Sequence, residues 1–122
     1  MKNKGKYIYG KVDDYAGRKG WFFGHFAENE LLKSDLAEVS WQKISNKEAI
    51  PEDKHIHTSS VEINIVISGE VSLTISGEDL TFHKGDFWVI WPETLVGNVR
   101  AGANTELVVL RAPSINDKKI VK

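Results

Sequence analysis

With 122 residues, 41% of them hydrophobic and 10% aromatic, the chain fills one core and has no room for two, so one domain over 1–122 is expected. A formal charge of −1 supplies no clustered basic surface, which argues against nucleic acid or an anionic membrane as partner. Cysteine is absent, the opening Met-Lys-Asn-Lys-Gly-Lys lacks a signal-peptide apolar stretch, and no apolar run nears the roughly 20 residues that cross a bilayer; a cytoplasmic protein without disulfides is expected.

Along the chain, Tyr7 to Tyr9, Trp21 to Phe26 and Ala37 to Ile44 combine aromatic and β-branched residues and read as strands. Between them, Glu28 to Leu36 reads as one or two helical turns. Val61 to Ser68 alternates strictly, with Ile63, Ile65 and Ile67 on one face and Glu62, Asn64, Val66 and Ser68 on the other. Ser-Gly-Glu at 68–70 and again at 76–78 brackets the strand Val71 to Ser76, as in a meander. Asp79 to Phe82, Phe87 to Trp91 and Thr105 to Arg111 follow, punctuated by His-Lys-Gly-Asp at 83–86 and by Pro92 and Pro113. Short strands interrupted every eight to twelve residues predict a sandwich or small barrel.

Three residues stand out chemically. His55 and His57, two apart, project from the same face of an extended strand. A turn at Thr58 to Ser60 returns the chain and brings the Glu62 carboxylate near them, a two-His, one-carboxylate set with open coordination positions. Asn64 shares the Glu62 face and is a candidate substrate contact. Arg100 offers a guanidinium fork to a carboxylate or phosphate. Trp41, Trp88 and Trp91 suit stacking on a sugar ring, although strand aromatics more often fill the core; Trp41 is the one retained as a candidate. His83 lies in a polar turn and reads as an exposed loop residue.

The order His55, His57, Glu62, Gly69, followed after 15 residues by Gly85, Asp86 and Pro92, resembles the two motifs of the cupins and covers about 45 residues. Ala49 stands where the first motif opens with Gly, and the second motif's His is absent between Glu93 and Asn98. The resemblance implies an all-β double-stranded β-helix, a jelly-roll barrel, with its motif-bearing core at about 37–113. It also implies a divalent transition metal, Fe, Mn, Ni or Zn, held by His55, His57 and Glu62. His25, on one face with Trp21 and Phe23, is the candidate fourth ligand, and Asn98 lies close to the position of the missing His.

Two functions are consistent with these residues. One is a metal-dependent isomerase, lyase or dioxygenase acting on a small oxygenated metabolite such as a sugar derivative or keto acid. The other is a metal-free, non-catalytic module that binds a small molecule. The face bearing Ile63, Ile65 and Ile67 needs a cover, and a homodimer, frequent in cupins, supplies one.

Overall fold

The computed structural model describes residues 2–46, 48–49 and 54–121. Among these residues the strands run in chain order as β1 (Trp21–Phe23), β2 (Glu38–Ile44), β3 (Glu48–Ala49), β4 (His55–His57), β5 (Val61–Ser68) and β6 (Glu70–Ile75), then β7 (Glu78–His83), β8 (Phe87–Ile90), β9 (Val96–Ala101), β10 (Thr105–Ala112) and β11 (Lys118–Ile120). One sheet has the order β1-β2-β10-β5-β8 and the other β11-β4-β9-β6-β7, with β3 also paired to β9. Val66, Trp88, Ile90, Leu107 and Val109 from the first sheet meet Val71, Leu73 and Val96 from the second in one buried cluster. This is the all-β, double-stranded β-helix that the sequence implies.

The turns follow residue chemistry. Ser76 and Gly77 both have positive φ, 48° and 81°, as a two-residue type I′ hairpin between β6 and β7 requires. At the β5–β6 junction Gly69 sits at φ 77°, and a Cβ there would run into the Thr105 side chain and stand 2.7 Å from the Thr105 Cα. Thr105 cannot yield, because its buried hydroxyl donates to the Gly102 carbonyl at 2.8 Å. Gly69→Ala is therefore expected to destabilise the protein by about 2 kcal/mol or more, read as a fall in the urea midpoint at unchanged slope.

Two local expectations are corrected. Tyr7 to Tyr9 forms no strand; Tyr7 and Tyr9 are exposed at 83% and 90%. Glu28 to Leu36 makes turns and bends instead of helix, because the side chains of Asn29 and Ser34 accept the backbone N–H groups of Leu31 and Leu36 and compete with helical bonding. Helix occurs earlier, as a 3-10 segment over Val12–Arg18 with Asp13 and Asp14 in its first turn and Arg18 in its last. No helix among the described residues is long and apolar enough to cross a membrane.

Strand β5 turns its polar side inward. Glu62, Asn64 and Val66 are buried, while Ile63 and Ile65 are 36% and 39% exposed. Ile63 and Ile65 pair across to Val89 and Phe87 of the edge strand β8, and Trp91 extends the same exposed apolar surface. The interior is thus furnished with polar groups at the expense of an apolar exterior.

Candidate functional site

A cavity of about 390 Å³ lies between the sheets. Its walls include His25, Glu38, His55, His57, Glu62, Asn64, Trp88, Arg111 and Asp117. On one wall, strand pairing sets Arg111 directly opposite Glu38 on β2 and opposite Glu62 on β5, so a guanidinium stands between two carboxylates on adjacent strands. Arg111 donates through Nε to Glu62 Oε1 at 2.7 Å and through NH1 to Glu38 Oε2 at 3.2 Å, and its Cζ lies 4.9 Å from the Trp21 ring centroid. Burial alone would lower the Arg111 pKa, but the charge and hydrogen bond of Glu62, followed by those of Glu38, outweigh it and raise it. Asn64 Nδ2 donates to the other Glu62 oxygen at 3.3 Å.

On the second sheet, β4 buries His55 and His57 with ring centroids 5.3 Å apart and planes at 88°. Pairing of β11 with β4 sets Lys118 opposite His57, and Asp117, one residue earlier, bonds His57 Nδ1 at 2.8 Å. The other Asp117 oxygen accepts the N–H groups of Ser59 and Ser60, each at 2.8 Å, which pins the crossing from β4 to β5. Burial pushes the Asp117 carboxyl up, yet the His57 hydrogen bond, the two N–H donors and the His57 charge together hold it down at about 2. An ionised carboxylate only accepts, so His57 Nδ1 carries a proton, and whenever the ring is neutral its lone pair lies on Nε2. Nε2 is buried without a partner; the Trp88 indole N–H is the only other such side-chain atom among the described residues.

Because the Asp117 pKa is depressed in the folded protein, its contribution to stability is full above the ordinary carboxylate value near 4 and is lost as pH falls toward 2. A change from 3.8 to about 2 corresponds to about 2 kcal/mol. Asp117→Asn is expected to lose that amount at pH 7, with the gap to wild type closing between about pH 4 and pH 2 in denaturant titrations.

The predicted site residues divide. His25, His55, His57, Glu62 and Asn64 all line the cavity. Asn98, Arg100 and Trp41 do not, and they are corrected here. Strand β9 carries a bulge that sets two residues against Leu73, with Asn98 at φ 53°; the phase of the strand slips by one, so Val96, Val99 and Ala101 turn in while Asn98 and Arg100 turn out. Trp41 lies on the outward parity of β2, where Glu38, Ser40 and Gln42 point in, and its N–H bonds Glu106 at 3.1 Å. His83 is exposed beside Glu70, in keeping with its reading as a loop residue. Glu38, Arg111, Ser114 and Asp117 were not singled out from the sequence.

The set His55, His57 and Glu62 does not fit a divalent ion in this arrangement. Glu62 already neutralises a guanidinium at 2.7 Å, and among the described residues no three His, Cys, Asp or Glu side chains group closely enough to hold a metal. His25 is engaged through one nitrogen only: its Nδ1 lies 2.6 Å from Ser114 Oγ, which leaves Nε2 as the ring nitrogen that could meet a ligand. Held by a carboxylate and carrying a lone-pair nitrogen, His57 has the form of a general base.

A family model described as a cupin domain matches residues 41–109, more than half of the chain. No curated protein matches the sequence. Among solved structures, a conserved protein with a double-stranded beta-helix domain from Klebsiella pneumoniae is 17% identical with a TM-score of 0.65, over 96% of this chain and 99% of that one. Pac13 from Streptomyces, described as a nucleoside dehydratase, is 19% identical with a TM-score of 0.64, over 96% of this chain and 92% of that one. A cupin protein from Bacteroides fragilis is 23% identical with a TM-score of 0.55, over 71% and 79%. At these identities the likeness speaks to the fold alone.

Proposed function

This chain belongs to the cupin family, and we propose that its barrel carries out acid–base chemistry on a small, uncharged, hydroxylated metabolite of the sugar or nucleoside class. The observation that carries this reading is the buried, unpartnered Nε2 of His57 on a ring whose Nδ1 is fixed by Asp117. Such a nitrogen accepts a proton from a substrate carbon acid or hydroxyl, the step common to isomerases and lyases that expel water. The cavity is of the size that takes a monosaccharide or nucleoside. Its carboxylates, Glu38, Glu62 and Asp117, are matched in number by Lys19, Arg111 and Lys118 on the same walls, so no net cationic charge is left for a keto acid and an uncharged ligand is favoured. Uridine, present in Pac13 structures that share this barrel, is a reasonable first probe.

The test incubates untagged protein with uridine, other nucleosides and neutral monosaccharides and follows products by NMR and mass. An isomerised or dehydrated product with multiple turnovers is expected. Saturable thermal stabilisation with no product would instead support a binding module, a reading favoured by the fact that Arg111, Glu38 and Glu62 already satisfy one another.

We also propose a second copy of this chain as the cover of the exposed face formed by Ile63, Ile65, Phe87, Val89 and Trp91. The patch lies on the outer face of the paired strands β5 and β8, and such a patch packed against its own two-fold mate is self-complementary. Light scattering is expected to give twice the chain mass for wild type and the chain mass for Phe87→Glu; a monomeric wild type at about 100 μM would remove this interface.

A further inference from the structure

Ser114 is fully buried behind the cavity-lining residues His25 and Glu38, and its hydroxyl oxygen has three neighbours within hydrogen-bond distance. The backbone N–H of His25 donates to it at 2.9 Å, its own O–H donates to Glu38 Oε1 at 2.9 Å, and His25 Nδ1 lies 2.6 Å away. A hydroxyl has one proton and two lone pairs. Glu38, an acceptor only when ionised, takes the proton, and the His25 backbone takes one lone pair. The remaining lone pair requires a donor, so His25 Nδ1 must carry hydrogen. Glu38 is in turn held by Arg111 through its other oxygen at 3.2 Å, which supports its ionised form.

Resting on the acid–base reading above, we propose that Ser114 and Glu38 are positioning residues that lock His25 as its Nδ1–H tautomer, leaving Nε2 as a second acceptor for a ligand hydroxyl. His25 follows β1 of the first sheet and His57 lies on β4 of the second, so the cavity would meet its ligand with imidazole acceptors from two sides. Two such acceptors select a ligand bearing two donor groups, as a diol of a sugar or ribose does. His25 is 43% exposed on its side chain, which places this second acceptor at the open side of the cavity, whereas His57 is buried.

The arrangement makes an unusual prediction for Glu38→Gln. Arg111 NH1 keeps the amide oxygen on its own side, so the amide NH₂ faces Ser114 and donates to it. The Ser114 proton is then displaced toward His25 Nδ1, which becomes an acceptor, and the tautomer inverts. Free histidine prefers Nε2–H, so the Nδ1–H form in wild type is diagnostic of the lock.

The experiment is long-range ¹H–¹⁵N NMR of imidazole-labelled full-length protein at about pH 8, above the ordinary histidine range. Wild type is expected to show His25 as Nδ1–H and Glu38→Gln as Nε2–H, whereas in Ser114→Ala the Glu38 carboxylate, 3.7 Å from Nδ1 in wild type, can still hold the Nδ1–H form. His57→Gln should leave the His25 pattern unchanged, which separates this inference from the acid–base reading: that reading is judged by turnover, this one by the tautomer. Wild type in the Nε2–H form, or Glu38→Gln retaining Nδ1–H, would overturn the proposal; the wild-type tautomer keeps the test valid where Glu38→Gln folds poorly.

Discussion

Replacing Arg111 with Met should destabilise the protein by about 3–5 kcal/mol at pH 7, the range found when one partner of a buried ion network is removed. The reason lies in strand order. Strands β2, β10 and β5 are adjacent, so Glu38, Arg111 and Glu62 form one row across the sheet with both carboxylates buried. Met fills similar volume, so the loss is electrostatic more than steric: two carboxylates remain without a counter-charge in a poorly solvated interior. The pH dependence follows. Neutralising those carboxylates removes the penalty, so the variant gains stability relative to wild type in mild acid and loses it as pH rises. Adding Glu38→Gln and Glu62→Gln to Arg111→Met should recover most of the loss at pH 7. Denaturant titrations from about pH 4 to pH 8 check both statements, and a pH-independent deficit would mean that packing, not charge, is what Arg111 supplies.

His57→Gln should lower turnover by about 10²–10⁴-fold, the usual contribution of a positioned general base. Gln keeps a donor for Asp117 and a comparable volume, so the fold should persist while the lone-pair nitrogen disappears. Stability gives the complementary signature. The variant exchanges the unpaired buried Nε2 for an equally unpaired amide oxygen, so its unfolding free energy should lie within about 1 kcal/mol of wild type, a small cost set beside a large kinetic one. Asp117→Asn should reduce turnover less, because it disturbs the tautomer of His57 without removing the ring.

The barrel itself was legible because its signals are local. Strict alternation in 61–68, the repeated Ser-Gly-Glu turns and the Gly-Asp turn before a hydrophobic strand each report a strand or its end. The inward set of β5 was also readable, since Glu62 and Asn64 share parity. What the sequence could not show was pairing. Arg111 shares parity with Leu107 and Val109, which hinted that it points inward, but only the strand order reveals that it meets Glu38 and Glu62. His55, His57 and Glu62 do face one cavity from two sheets, as the motif spacing suggested, but the sequence could not show that the carboxylate is bonded by Arg111 of β10. Asn98 and Arg100 were misplaced by one bulged residue in β9, which alternation cannot reveal, and Asp117 reaches His57 only because β11 pairs with β4.

The central claim is that His57, fixed by Asp117, does its chemistry in a barrel whose third expected metal ligand is neutralised by Arg111. The most direct measurement is turnover of untagged protein on the nucleoside and sugar panel before and after exhaustive chelation, with elemental analysis of both samples. Turnover unchanged by chelation, with metal far below one per chain, is the predicted result. A metal present at one per chain that is removed together with turnover, and restores it on return, would contradict the account.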